Sequence, residues 1–177
     1  GEDSVVEHWL KAGCDGFRLD VVDEIPDEFL KLLKDKIRQV KPDAFLIGEV
    51  WEDASNKIAY GVRRRYFVDG ELDSVMNYPI KEGIIRYLQT ENAEDLVRVI
   101  RALINHYPKQ TVDCLMNILG THDTSRILTV LGGISCNNKE EMAAKSAYLN
   151  KNDKKIAIEK LKMAAVLQYT LPGVPCL

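Results

Sequence analysis

The sequence lacks a strong excess of charge of either sign, a C-x-x-C pair, an internal repeat and any apolar run long enough to cross a bilayer. A net charge of -3 and a pI near 5.7 leave no electrostatic footprint for nucleic acid or an anionic membrane. Without a 20-residue apolar stretch there is no candidate membrane span. Cys14, Cys114, Cys136 and Cys176 are far apart, and most border apolar strand-like segments. They are expected to be buried free thiols, not a disulfide framework or a zinc site. The only basic run, Arg63-Arg64-Arg65, reads as a solvated loop face. The chain reads as starting inside a domain, so the lack of a leader carries no weight; location stays open, with the cytoplasm favoured.

What is present suffices for a core: 177 residues, 46% of them hydrophobic. Residues 4–12 read as a helix capped by Ser4, with Glu7 completing a capping box and Val5, Val6, Trp9 and Leu10 forming its apolar side. A strand is expected over 15–22, its period-two alternation placing Arg18 and Asp20 on one face. Pro26 opens a helix with Phe29, Leu32, Leu33, Ile37 and Val40 at helical spacing, and Pro42 closes it. Further strands are expected over 44–50, 72–77 and 115–119, and a truncated one over 174–177. Helices are expected over 79–88, from Asn92 to about Ile104, over 124–131 and over 153–171. Residues 52–70 read as a polar loop with room for one short helix, and 132–152 as a polar insertion. Alternating strands and helices imply an α/β fold with a parallel sheet under helical cover.

Three acidic residues stand where apolar strand-like stretches run out. Asp20 follows Gly16-Phe17-Arg18-Leu19, Glu49 follows Phe45-Leu46-Ile47-Gly48, and Asp123 follows Asn117-Ile118-Leu119-Gly120-Thr121-His122. A carboxylate at a buried strand end is costly unless it is paired or used. On strands separated by helices, three of them point to one rim of a parallel sheet, where α/β folds place their chemistry. The bland alternatives are a helix cap for Asp123 and a pairing with Arg18 for Asp20, but Glu49 has no obvious structural duty.

Gly16-Phe17-Arg18-Leu19-Asp20, Ile47-Gly48-Glu49-Val50-Trp51 and Leu119-Gly120-Thr121-His122-Asp123 resemble, in order, three signature segments of the α-amylase glycoside hydrolases. The resemblance implies a partial TIM (β/α)8 barrel, about strands four to eight with the last truncated, residues 1–177 being the C-terminal part of a catalytic barrel domain. It implies Asp20 as nucleophile, Glu49 as general acid/base and Asp123 as transition-state stabiliser. Arg18 and His122 match the family's charge-positioning and substrate-binding residues. Trp51 is a further substrate-binding candidate, with a sugar-stacking role and a core or lid role both left open. The chemistry suits the residue types: retaining glycosidases set two carboxyl groups about 5–5.5 Å apart, one attacking the anomeric carbon and one protonating the leaving oxygen.

Two departures matter. The family's segment at barrel strand three is absent, as is the calcium-binding insert usual there; no cofactor is expected, and a calcium ion belongs, if anywhere, to a longer protein. Asp23-Glu24 stands where plain α-amylases carry Lys-His, which resembles the neopullulanase and cyclomaltodextrinase branch. The implied partner is an oligo- or polysaccharide α-glucan of starch, pullulan or cyclodextrin type, with α-1,4 bonds cleaved and α-1,6 bonds left open. The isolated chain is expected to be inactive on α-glucans, and either self-associated through open barrel edges or the ordered part of a longer protein. A transglycosylase shares the covalent intermediate and stays open. A metal-dependent enolase-type lyase sits badly with Arg18 beside Asp20, and a non-catalytic amylase-like interaction domain with three intact acids.

Overall fold

The computed structural model describes residues 4–134, 140–141, 144 and 149–177. The chain divides into two compact units, one of Gly1–Asn77 with Leu103–Met116 and one of Tyr78–Ala102 with Asn117–Leu177.

In the first unit, helix α1 (Val5–Lys11) leads into strand β1 (Gly16–Leu19), and a single 3-10 turn (Val22–Glu24) precedes helix α2 (Asp27–Val40). Strand β2 (Phe45–Gly48) then pairs in parallel with β1, Gly16 against Phe45 through Leu19 against Gly48. Strand β5 (Ser74–Val75) joins the other edge of β2, giving the order β1-β2-β5. Met76 is bridged in parallel to Met116. Between β2 and β5 lies a small hairpin of β3 (Ile58–Ala59) and β4 (Val62–Arg63) where the sequence suggested a short helix. Helix α5 (Lys109–Asp113), not foreseen, ends the unit before Met116, and Ser74 Oγ donates to its Thr111 carbonyl at 3.0 Å.

The strands are shorter than their apolar runs because side chains take over the ladder. Asp73 donates its own N–H to the Leu46 carbonyl at 2.9 Å and accepts the Leu46 N–H on its carboxylate at 2.8 Å. The core under this sheet is Val22, Leu30, Ile37, Leu46, Val50 and Val75, all fully or nearly fully buried. Gly48 is required here, since a Cβ would stand 2.6 Å from Leu72 Cδ1 and 2.9 Å from Val22 Cγ1.

Several expectations fail in the same way. Val5, Trp9, Phe29 and Leu32 were assigned to apolar faces but are exposed, whereas Glu7, Lys34 and Arg64 are buried. Glu7 forms no reciprocal capping box: Ser4 accepts the Glu7 N–H, while the Glu7 carboxylate takes Lys11 and Lys36, each at 2.7 Å. These cations hold its pKa down at about 2. Lys34 crosses from α2 to Asp73. Arg64 is no solvated residue; it pairs with Asp27 at 2.8 Å, donates to the Ile25 carbonyl and lies over the Tyr66 ring. Cys14, Cys114 and Cys176 are free thiols but only partly buried, and Cys136 lies outside the described residues.

In the second unit, helix α3 (Tyr78–Thr90) packs against α6 (Ile127–Leu131) and α7 (Lys151–Thr170). Asn92 Oδ1 accepts the Glu94 N–H at 3.0 Å at the start of helix α4 (Ala93–His106), as its position implied. Asn150 caps α7 by accepting from Asn152 and Asp153. Strand β6 (Met116–Asn117) pairs with β7 (Val174–Pro175). Buried Gln168 secures that pair, donating to the Asn117 and Cys176 carbonyls at 2.9 and 2.8 Å. Most of the insertion expected over 132–152 lies outside the described residues.

Glu71 gives a pH test of the first unit. Burial, then repulsion from Asp27 and Asp69, raises its pKa from 4.5 to about 7, against the opposing pull of Arg64 and Lys31. A carboxyl whose folded pKa is raised stabilises below its unfolded pKa and loses that contribution as pH climbs through the folded value. Between about pH 4.5 and pH 8, wild type should lose stability relative to Glu71→Gln by on the order of 1–3 kcal/mol. Urea unfolding of both proteins at the two pH values checks this; a difference independent of pH contradicts it.

Candidate active site

The parallel register sets Leu19 beside Gly48, so Asp20 and Glu49 leave adjacent strand ends at the same level. The Glu49 N–H donates to the Leu19 carbonyl at 3.0 Å, continuing the ladder by one bond. Arg18, inside β1, spans both acids with one guanidinium. Its Nη1 lies 2.5 Å from Asp20 Oδ1 and its Nη2 3.0 Å from Glu49 Oε2. Its Nε is aimed at Met76 Sδ, 3.3 Å away on the far side of the sheet order. A fixed planar fork of donors suits this task better than a flexible ammonium.

The two acids differ in environment. The Asp20 side chain is 68% exposed, that of Glu49 only 5%. Glu49 accepts from Arg18, from the Val21 N–H at 3.0 Å on Oε2 and from Trp51 Nε1 at 3.2 Å on Oε1. Trp51 is half exposed in this chain, and its indole N–H donates to Glu49 Oε1.

Val21 makes its contact from a left-handed conformation, φ 43°. A β-branched residue there is a genuine outlier, at about 1–3 kcal/mol of strain. The turn directs the Val21 N–H at Glu49 and ends β1 at Leu19, so the strand expected to run through Val22 stops three residues early. Nothing in the sequence announced this. Met76 was equally unforeseen.

Beyond Val21, the two acids of the 3-10 turn are engaged by the 57–66 segment. Asp23 accepts from Tyr66 Oη at 2.7 Å and pairs with Lys57 at 3.0 Å, while Tyr60 Oη donates to Glu24. Burial and the Asp23 carboxylate push the Tyr66 hydroxyl pKa up, which keeps it a donor. Burial alone would lower the Lys57 pKa, but Glu52 and Asp23 raise it.

In the second unit, His122 Nε2 lies 3.0 Å from Asp123 Oδ2, and the histidine is largely exposed. Asp123 is not a helix cap: its N–H donates to Thr121 Oγ1 at 3.2 Å, and α6 begins four residues later behind Arg126. The described structure thus brings Arg18, Asp20, Glu49 and Trp51 together in one unit and His122 with Asp123 in the other. Among the described residues no group of three His, Cys, Asp or Glu side chains is arranged to hold a metal ion, so no residue is assigned to calcium. An open cavity of about 580 Å³ lies elsewhere in the first unit, lined by Arg63, Tyr66, His106 and Tyr107 among others. It contains none of the candidate acids. The nearby Asp53 is engaged by Ser55 and His106, which lower its pKa against the effect of burial.

A family match covers nearly the whole chain. The α-amylase catalytic-domain family model matches residues 2–177. A cyclomaltodextrinase of Geobacillus thermopakistaniensis is 29% identical over 176 residues, 98% of this chain and 24% of that protein. Neopullulanase 2 of Thermoactinomyces vulgaris is 35% identical over 131 residues, 73% of this chain and 21% of that protein. Among solved structures, the type III pullulan hydrolase from Thermococcus kodakarensis superposes with a TM-score of 0.71 at 30% identity, covering 95% of this chain and 26% of that one. The chain therefore spans about a quarter of the length of these relatives. It belongs to the α-amylase catalytic-domain family.

Proposed function

We propose that this chain is the part of a (β/α)8 catalytic barrel running from about strand four to strand eight, in a retaining hydrolase of α-glucans. The observation that carries the reading is the Arg18 guanidinium shared between exposed Asp20 and buried Glu49 at adjacent parallel strand ends. Two carboxyl groups bridged by one such fork are compatible with the about 5–5.5 Å separation of retaining enzymes.

In this reading Asp20 attacks the anomeric carbon as the glycosidic C–O bond breaks. Glu49 gives its proton to the departing oxygen. Water then enters, Glu49 takes a proton from it, and the new C–O bond releases Asp20. Arg18 and the strained Val21 N–H fix Glu49 Oε2, and the Trp51 indole fixes Oε1, so the acid has little freedom to turn. Asp123 is proposed to hydrogen-bond sugar hydroxyls and stabilise the cationic transition state, with His122 as a substrate donor. The names of the relatives, cyclomaltodextrinase and neopullulanase, support cyclodextrin and pullulan as substrates beside starch. They agree with the branch suggested by Asp23-Glu24.

In the full-length protein, Asp20→Asn and Glu49→Gln should each lower kcat on cyclodextrin or pullulan by roughly three orders of magnitude or more, with folding retained. NMR of fresh product should show the α anomer first; the β anomer first would refute the retaining mechanism. Arg18→Lys keeps the charge but loses the fork, and should lower kcat about 10- to 100-fold with little change in KM. Unchanged kcat in a folded Arg18→Lys protein would remove Arg18 from the positioning of the acids.

A further inference from the structure

The hairpin of β3 and β4 turns at Tyr60-Gly61, with φ of 54° and 76°. Two consecutive positive φ values between paired strands describe a type I′ turn, whose first central position favours Asn, Asp or Gly. A tyrosine there is strained, because its Cβ crowds the backbone in the left-handed region. Burial does not offset that strain, since Tyr60 is 77% exposed.

One end of the ring is nevertheless fixed. Tyr60 Oη donates to Glu24, four residues beyond Asp20 in the same turn. The rest of the segment is fastened to that turn as well: Lys57 and Tyr66 hold Asp23, and Arg64 reaches the Ile25 carbonyl and Asp27. The hairpin is therefore anchored to the segment that follows Asp20, with its tip aromatic held by the hydroxyl and its ring face open to solvent. An exposed aromatic with a wet polar end and a bare apolar face matches a pyranose, which presents apolar C–H faces and hydroxyl edges.

We propose that Tyr60 is a specificity-determining residue, a platform for a glucosyl unit of the α-glucan chain outside the bond being cleaved. This rests on the α-glucan reading above. Glu24 acts in it as the anchor of the ring, not as a group that meets the sugar. Tyr60 is a binding residue, and its loss is felt in affinity for oligosaccharides.

The test is calorimetric binding of maltohexaose to the full-length protein carrying Asp20→Asn, so that nothing is hydrolysed. Adding Tyr60→Ala should weaken binding about three- to tenfold, the range of an aromatic contact. Tyr60→Phe keeps the ring face but loses its anchor to Glu24, and should bind more weakly than the parent yet more tightly than Tyr60→Ala. Tyr60→Asn suits the turn, so it should melt no lower than the parent and yet bind as weakly as Tyr60→Ala. Unaltered affinity in Tyr60→Ala and Tyr60→Asn overturns the role of Tyr60 and leaves the α-glucan reading intact. So does an equal loss in Tyr60→Phe, which would place the effect in the hydroxyl. Failure of the Asp20→Asn protein itself to bind maltohexaose overturns the α-glucan reading and this inference together.

Discussion

Arg18 is the constraint around which the first unit is arranged. A carboxylate as buried as Glu49 is tolerated only with full hydrogen bonding, and the arginine supplies a charged donor from the neighbouring strand. That donor reaches it because β1 and β2 run parallel in a register that puts Leu19 beside Gly48. The close pairing of the two strands needs Gly16, where a Cβ would collide with the Phe45 carbonyl oxygen. The same guanidinium then fixes Asp20, which water alone would leave free to rotate. Sheet register, glycine and acid pair form one chain of dependence, and the strained Val21 closes it by turning its N–H onto Glu49.

Much of this was legible in the sequence because turn chemistry and strand patterning are local. Pro26 and Pro42 bracket α2, Ser4 and Asn92 start their helices, and the three acids follow apolar runs. The misses share a physical origin. Hydropathy patterning assigns Phe29 and Leu32 to a core and Arg64 and Lys34 to water, yet the interior accepts both cations because Asp27 and Asp73 meet them. Pairing of that kind depends on residues distant in sequence. The 58–63 hairpin escaped notice because Tyr60-Gly61 lacks the Asn or Asp that advertises a type I′ turn. Asp123 reads equally well as a cap or as a functional acid until helix α6 is seen to start behind Arg126.

Strain is concentrated around the acid pair. Val21 and Tyr60 are two of the three non-glycine residues with positive φ in the described chain. Val21 touches Glu49 directly, and Tyr60 touches the turn that follows Asp20. Both give up backbone comfort for the placement of a single polar group, which is the pattern expected where surrounding contacts over-determine a functional geometry.

The central claim is that Asp20 is the group that becomes covalently attached to sugar while Glu49 handles the proton. Trapping the intermediate on the full-length Glu49→Gln protein with an activated fluoroglucosyl donor, followed by peptide mass spectrometry, tests it most directly. The account predicts one glycosyl adduct, on the peptide that contains Asp20. An adduct on Asp123, or hydrolysis of the donor by a folded protein with no adduct at all, would contradict it.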